Sequence, residues 1–173
     1  MQTSTNPTLN AGLYTFTNGI DVDRNLAPQE VAVQLAWAKG LTQINYLTQA
    51  DLAQIDTALN EALTSIQNGT FPWRIEDEDI HMNLERFVTE RLGILGKKMH
   101  YGRSRNDLIA TTLRLFVRDS LTEVKSAAQA FLASNVQQAR KTIDIIFPGK
   151  THLQHAQPMR LAQLFLTYAQ ETK

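Results

Sequence analysis

The sequence predicts an all-α protein, and three observations carry that reading. Apolar residues recur at helical spacing through most of the chain after residue 28. Ser, Thr and Asp capping residues precede those runs, and Gly or Pro follows them. No strand-like alternation, internal repeat or low-complexity tract competes.

Residues 1 to 18 are rich in Thr and Asn, carry Pro7 and Gly12 and show no period, so they read as a flexible N-terminal arm. Pro28 suits a first helical turn, and Val31, Val33, Leu35, Ala36, Ala38, Leu41 and Ile44 are apolar on more than one side, which predicts a buried helix over about 28–46. Thr48 and Asp51 form a Thr-x-x-Asp capping pair. Behind it Leu52, Ile55, Leu59, Leu63 and Ile66 mark an amphipathic helix that stops at Asn68-Gly69. The acidic run 76–79 sits where a helix N-terminus favours negative charge, and a helix over about 80–92 ends at Gly93. The stretch 93–105, with three Gly and no period, reads as an ordered loop.

Ser104-x-x-Asp107 is a second capping pair, and no Gly or Pro then interrupts the chain until Pro148. A helix over about 107–143 would be roughly 55 Å long at 1.5 Å per residue. Its apolar stripe, from Ile109 through Leu113, Leu121 and Val124 to Phe131, is too wide to be covered by the short helices before it and needs partner helices. A last helix is predicted over about 158–173, and the pattern runs on to the last residue, so an N-terminal portion of a longer protein is expected.

Composition narrows the function classes. The 173 residues carry 17 Lys+Arg against 17 Asp+Glu and no Cys, which excludes a disulfide scaffold and removes the usual electrostatic ground for a nucleic-acid or membrane partner. With no spanning apolar run and no signal-peptide pattern at the start, a cytoplasmic protein with a small-molecule or protein partner is expected.

The four His, at 81, 100, 152 and 155, lie in or beside polar, Gly/Pro-punctuated segments and outside the apolar stripes. Asp79 and His81 flank a helix start, where N–H groups can hold an anion, although spacing alone favours an acidic N-cap and an exposed His. In the segment 96–107, Gly permits close approach of a ligand and Arg103 and Arg105 can grip carboxylates, with Ser104 and Asn106 at a helix start. Capping explains Ser104 and Asp107 and leaves Arg103, Arg105 and Asn106 without a reason; a nucleic-acid patch has only Tyr101 to stack on. The segment 147–158 is a polar loop fixed by Pro at both ends. His152 titrates in the range useful for proton transfer, and the rival reading is a plain helix connection.

Together, EDIH at 78–81, GKKMHYGRSRND at 96–107 and PGKTHLQHAQP at 148–158 resemble the argininosuccinate lyase family, with its delta-crystallin relatives, in the fumarase/aspartase superfamily. The resemblance runs from about Phe16 to Lys173, and GRSRND is its most discriminating part. It implies reversible elimination of fumarate from argininosuccinate to give arginine, with no metal or organic cofactor. By motif, Thr151 and His152 fall at the reacting centre, His152 as a proton-transfer or relay residue. Ser104, Arg105 and Asn106 bind substrate, Asp79 and His81 border the same pocket, and Gln154 is an additional contact. The family's early substrate-binding Ser is Gly19 here, while the Asp that follows is kept as Asp23. The Gly-Ser-Ser-x-Met-Pro loop that supplies the family's catalytic Ser is not among these residues. The resemblance also implies a homotetramer with shared active sites and three regions here: the arm 1–18, a small helical domain 19–106, and the start of a central helical bundle 107–173. The alternative is a non-catalytic, crystallin-like structural or assembly relative.

Overall fold

A computed structural model describes residues 11–172, so the first ten residues of the expected arm lie outside the described residues. The described part of that arm is helical: α1 spans Ala11–Thr17, and α2 follows at Ile20–Asp23. α3 spans Ala27–Gln43, α4 Gln49–Gln67, α5 Ile80–Leu92, α6 Ile94–Lys98 and α7 Arg105–Lys141. Two antiparallel strands, β1 at Ile146–Thr151 and β2 at Gln154–Arg160, precede α8 at Leu161–Glu171. The described residues are thus all-α apart from one hairpin. It divides into two compact units, one reaching to Phe116 and one starting at Val117.

In the first unit α3 packs on α4, α4 on α5 and α5 on α6. Val31, Ala38 and Leu41 of α3, Ile55 and Leu59 of α4, and Ile80, Leu84, Phe87 and Val88 of α5 form the core with Phe71 and Met99. Burying each of the larger side chains contributes about 1.5–3 kcal/mol. α3 stops at Gln43, short of the expected 46. Asn45 turns left-handed at φ 59°, and the Tyr46 and Leu47 amides donate back to the Leu41 carbonyl at 2.9 and 3.2 Å. The capping pair before α4 forms in both directions: the Thr48 hydroxyl accepts from the Asp51 amide at 3.1 Å, and the Thr48 amide donates to the Asp51 carboxylate at 2.9 Å. The expected loop 93–105 holds the short α6, with Gly93 at φ 59° ending α5.

In the second unit the expected polar loop 147–158 is instead the hairpin. Two features hid it from a periodicity reading. Pro148 and Pro158 stand opposite each other, so neither strand looks like one. The register also shifts between Pro148 and Lys150, where Ala156 and Gln157 bulge opposite Gly149. A Cβ on Gly149 would come within 2.9 Å of the Gln157 carbonyl, so the bulge needs glycine there. The Leu161 amide donates to the Ile145 carbonyl at 2.9 Å and ties the start of α8 to the base of the hairpin. No described helix is long and apolar enough to cross a membrane.

Candidate active site

Buried Asn83 sets the entry to α5. Its amide nitrogen donates to the carbonyls of Arg74 and Asp79 at 3.1 and 2.9 Å, and its oxygen accepts from the Arg74 amide at 2.8 Å. Arg86 secures the same loop through Asp77 at 2.5 Å and the Pro72 carbonyl at 2.7 Å. Asp79 is thereby held as N-cap of α5, accepting from the Met82 amide at 2.9 Å, as the acidic run led us to expect. The outer oxygen of Asp79 pairs with Arg105.

Arg105 is the first residue of α7. Before it the Ser104 amide donates to Asp107 at 3.0 Å, and the Ser104 hydroxyl accepts from the Asn106 amide at 3.2 Å. Ser104 and Asn106 are exposed at this helix start. A cavity of about 210 Å³ is lined by His81, Met82, Glu85, His100, Arg105 and Leu108. His81, expected to be exposed on spacing, is buried.

Asp23 stands beside this group. The Gly19 amide donates to the Glu78 carbonyl at 2.8 Å, which docks α2 one residue before Asp79. Burial pushes the Asp23 carboxyl above its ordinary value; the Asp79 charge adds to the rise and the His81 ring opposes it. A Cβ at position 19 would lie 2.8 Å from the Asp23 carboxylate, so Gly19 leaves room for that carboxylate where it stands.

A polar network that the sequence reading missed lies beneath the cavity. The carboxylate of Glu30, fully buried, accepts from Gln34 at 2.9 Å and from the Thr112 hydroxyl at 2.8 Å. Gln34 in turn accepts from Arg103 at 2.8 Å, and the Arg103 guanidinium lies 5.8 Å from the centre of the Trp37 ring. Burial pushes Arg103 below its ordinary value, with the carboxylates of Glu30, Glu85 and Asp107 opposing. The signal was present: Glu30 and Gln34 are polar, four apart, on a helix that is otherwise apolar on several sides.

The second unit carries Thr151, His152 and Gln154 at the tip of the hairpin. Thr151 pairs with Gln154, and His152 and Leu153 form the two-residue turn with φ of 48° and 61°. Such a turn favours Asn-Gly, and a non-glycine residue held left-handed costs about 1 kcal/mol or more. All four residues are exposed. Among the described residues no group of three or more His, Cys, Asp or Glu could hold a metal ion.

Comparison with known proteins places these features in a family. A model of the lyase family matches residues 8–173. An argininosuccinate lyase of Acinetobacter baumannii is 39% identical over 153 residues, covering 88% of this chain and 32% of that protein. One of Hahella chejuensis is 37% identical over 158 residues, covering 91% and 34%. The chain spans about a third of the length of the curated relatives it matches. A solved structure of a variant EDDS lyase with bound fumarate shares the fold, with a TM-score of 0.71 at 24% identity over 87% of this chain and 29% of that one. Matched by the family model from residue 8 to residue 173, and with argininosuccinate lyases among its relatives, this chain belongs to the lyase family.

Proposed function

We propose that the chain supplies part of an active site that cleaves argininosuccinate reversibly to arginine and fumarate by elimination. The observation that carries this reading is the meeting of His81 and Arg105 at one cavity, with Asp79 paired to Arg105, in a chain related to argininosuccinate lyases. The reaction removes a proton beside a carboxylate and expels a guanidinium nitrogen. Its carbanion is stabilised as an aci-carboxylate, so it needs cationic donors around that carboxylate and two proton-transfer groups. Arg105 donates to Asp79 through one terminal nitrogen, which leaves further N–H groups for a substrate carboxylate. The exposed Ser104 hydroxyl and Asn106 side-chain amide add donors at the start of α7. Asp23, Asp79 and His81 border the pocket. His152, raised on a strained turn, carries or relays a proton beside Thr151, with Gln154 across the turn. No metal or organic cofactor takes part.

In this reading the protein is a cytoplasmic homotetramer that acts in arginine biosynthesis and shares its sites between subunits. The exposed hairpin is one element another subunit would cover. The 173 residues alone do not turn over, because Thr151 and His152 stand in solvent and the family's Gly-Ser-Ser-x-Met-Pro loop is not among them. For that polypeptide taken alone, the exposed hairpin also favours the second reading, a non-catalytic structural or assembly relative.

A chimera tests the proposal. The matched third of the Acinetobacter baumannii lyase is replaced by this chain, and fumarate is followed by ultraviolet absorbance. Turnover by the chimera and none by the 173 residues alone is expected. A folded, tetrameric chimera without turnover overturns the assignment. In the active chimera, His152→Asn should lower kcat roughly 10²-fold or more, whereas His155→Asn should leave it within a few-fold.

A further inference from the structure

The first unit holds a charged group that the proposed chemistry does not use. Glu30 is fully buried on α3, a helix that also buries Ala27, Val31, Ala38 and Leu41. An apolar residue of similar size would serve packing at such a position, because a buried carboxylate is costly unless its oxygens are occupied. Both oxygens are occupied. One accepts from Gln34, itself held by Arg103; the other accepts from Thr112 and lies 2.9 Å from Nδ1 of His81. That line departs from the direction in which an Nδ1–H would point, so the pair is a close polar contact and not an aligned hydrogen bond. No other hydrogen-bonding atom among the described residues reaches Nδ1, which is shut off from solvent. Three elements therefore converge on one carboxylate, and among its direct contacts only His81 lines the cavity.

We propose that Glu30 is a positioning residue for His81: it keeps the Nδ1 hydrogen turned inward, so that Nε2 meets the cavity as a bare acceptor. The polar group nearest a histidine's inner nitrogen biases which nitrogen is protonated, and a carboxylate oxygen 2.9 Å from Nδ1 favours a hydrogen there. A bare Nε2 can accept an N–H from the guanidinium half of a substrate, or take a proton, and cannot donate to a carboxylate, which leaves carboxylate binding to Arg105. The Arg103–Gln34 relay and Thr112 hold Glu30 in place for this task. The proposal rests on the reading of His81 as a substrate-facing residue.

Nitrogen-15 NMR of the histidine rings in the 173-residue chain tests it. In the unaltered protein, His81 is expected to show a protonated Nδ1 and a bare Nε2. In Glu30→Leu, where Nδ1 loses the nearby carboxylate, the ring should pass to the Nε2–H form that free histidine prefers. Thr112→Val removes a hydrogen bond to the same carboxylate, and it should lower the melting temperature while leaving the His81 tautomer unchanged. A bare Nδ1 in the unaltered protein overturns the proposal even if Glu30→Leu fails to fold, and so does a folded Glu30→Leu protein that keeps Nδ1 protonated. Arginine is the probe that separates the two readings. A protonated Nδ1 with no Nε2 response to arginine in the active chimera, where the site is complete, supports positioning and overturns the substrate-facing reading; an Nε2 response with a bare Nδ1 overturns positioning alone.

Discussion

Arg105, the first residue of the longest helix, forms an ion pair with Asp79, the N-cap of α5 lying 26 positions earlier. The pair brings two helix N-termini together, and one carboxylate serves both: it caps α5 through the Met82 amide and balances the guanidinium at the start of α7.

Those two tasks separate by substitution. Asparagine caps as well as aspartate, so Asp79→Asn keeps the cap and loses only a part-exposed ion pair, which is about 0–1 kcal/mol. Asp79→Ala loses both and should be less stable than Asp79→Asn by about 1 kcal/mol. Urea titration of the two variants measures the difference, and equal midpoints would show that the cap contributes nothing.

The hairpin tip gives a prediction of the opposite sign. Leu153 is 92% exposed and holds φ at 61°, so its side chain contributes little packing while its backbone is strained. Leu153→Gly should therefore stabilise the second unit by about 0.5–1 kcal/mol, even after glycine's extra freedom in the unfolded chain is counted. Gly149→Ala should destabilise it, because the new methyl meets the Gln157 carbonyl. A Leu153→Gly melt that does not rise would show that the turn is not under strain, and a Gly149→Ala melt that does not fall would show that the bulge tolerates a side chain.

These elements also show what could be read from residues alone. α3, α4 and α5 were legible because each buries a periodic face, α7 because it carries a periodic apolar stripe, and the caps at Thr48 and Asp79 because a side-chain oxygen three residues before a needy N–H is a local signal. The hairpin was not, since Pro148, Gly149 and Pro158 are residues a strand normally avoids and they are accommodated only by the bulge across from Gly149. At the site, Asp79 and Arg105 could be named from their segments, but their pairing is tertiary. Glu30 went unnoticed although its spacing from Gln34 was visible within α3, because the partners that show it to be buried, His81 and Thr112, come from α5 and α7.

Asp23 provides a pH test. Its folded-state pKa is raised, first by burial and then by Asp79, so the folded protein binds a proton at Asp23 more tightly than the unfolded chain does. Stability from this group is present below the unfolded value, about 3.9, and is lost as pH rises through the folded value. At neutral pH the ionised carboxyl therefore opposes folding. Asp23→Asn should raise the melting temperature at pH 7 and lose that advantage at pH 3. Carboxyl NMR should also find the Asp23 midpoint lower in Asp79→Asn, and an unmoved midpoint would remove Asp79 as a cause.

The last prediction concerns the face of α7. Val117, Leu121, Val124 and Phe131, all in the second unit, are exposed at steps of four, three and seven residues, which keeps them on one side of the helix over about 21 Å at 1.5 Å per residue. Single exposed apolar residues are ordinary, whereas an unbroken stripe of this length marks a surface that other helices cover. Helical bundles bury such stripes against copies or neighbours at helix-helix contacts. Purified 1–173 should therefore associate through α7, and light scattering should report a dimer or larger species whose mass falls on dilution. Leu121→Glu with Val124→Glu places two charges in the middle of the stripe and replaces no fully buried residue. That double variant should be a monomer with unchanged helical content by circular dichroism. A monomeric unaltered chain at high micromolar concentration, or association that survives the double substitution, would show that the stripe is not the contact.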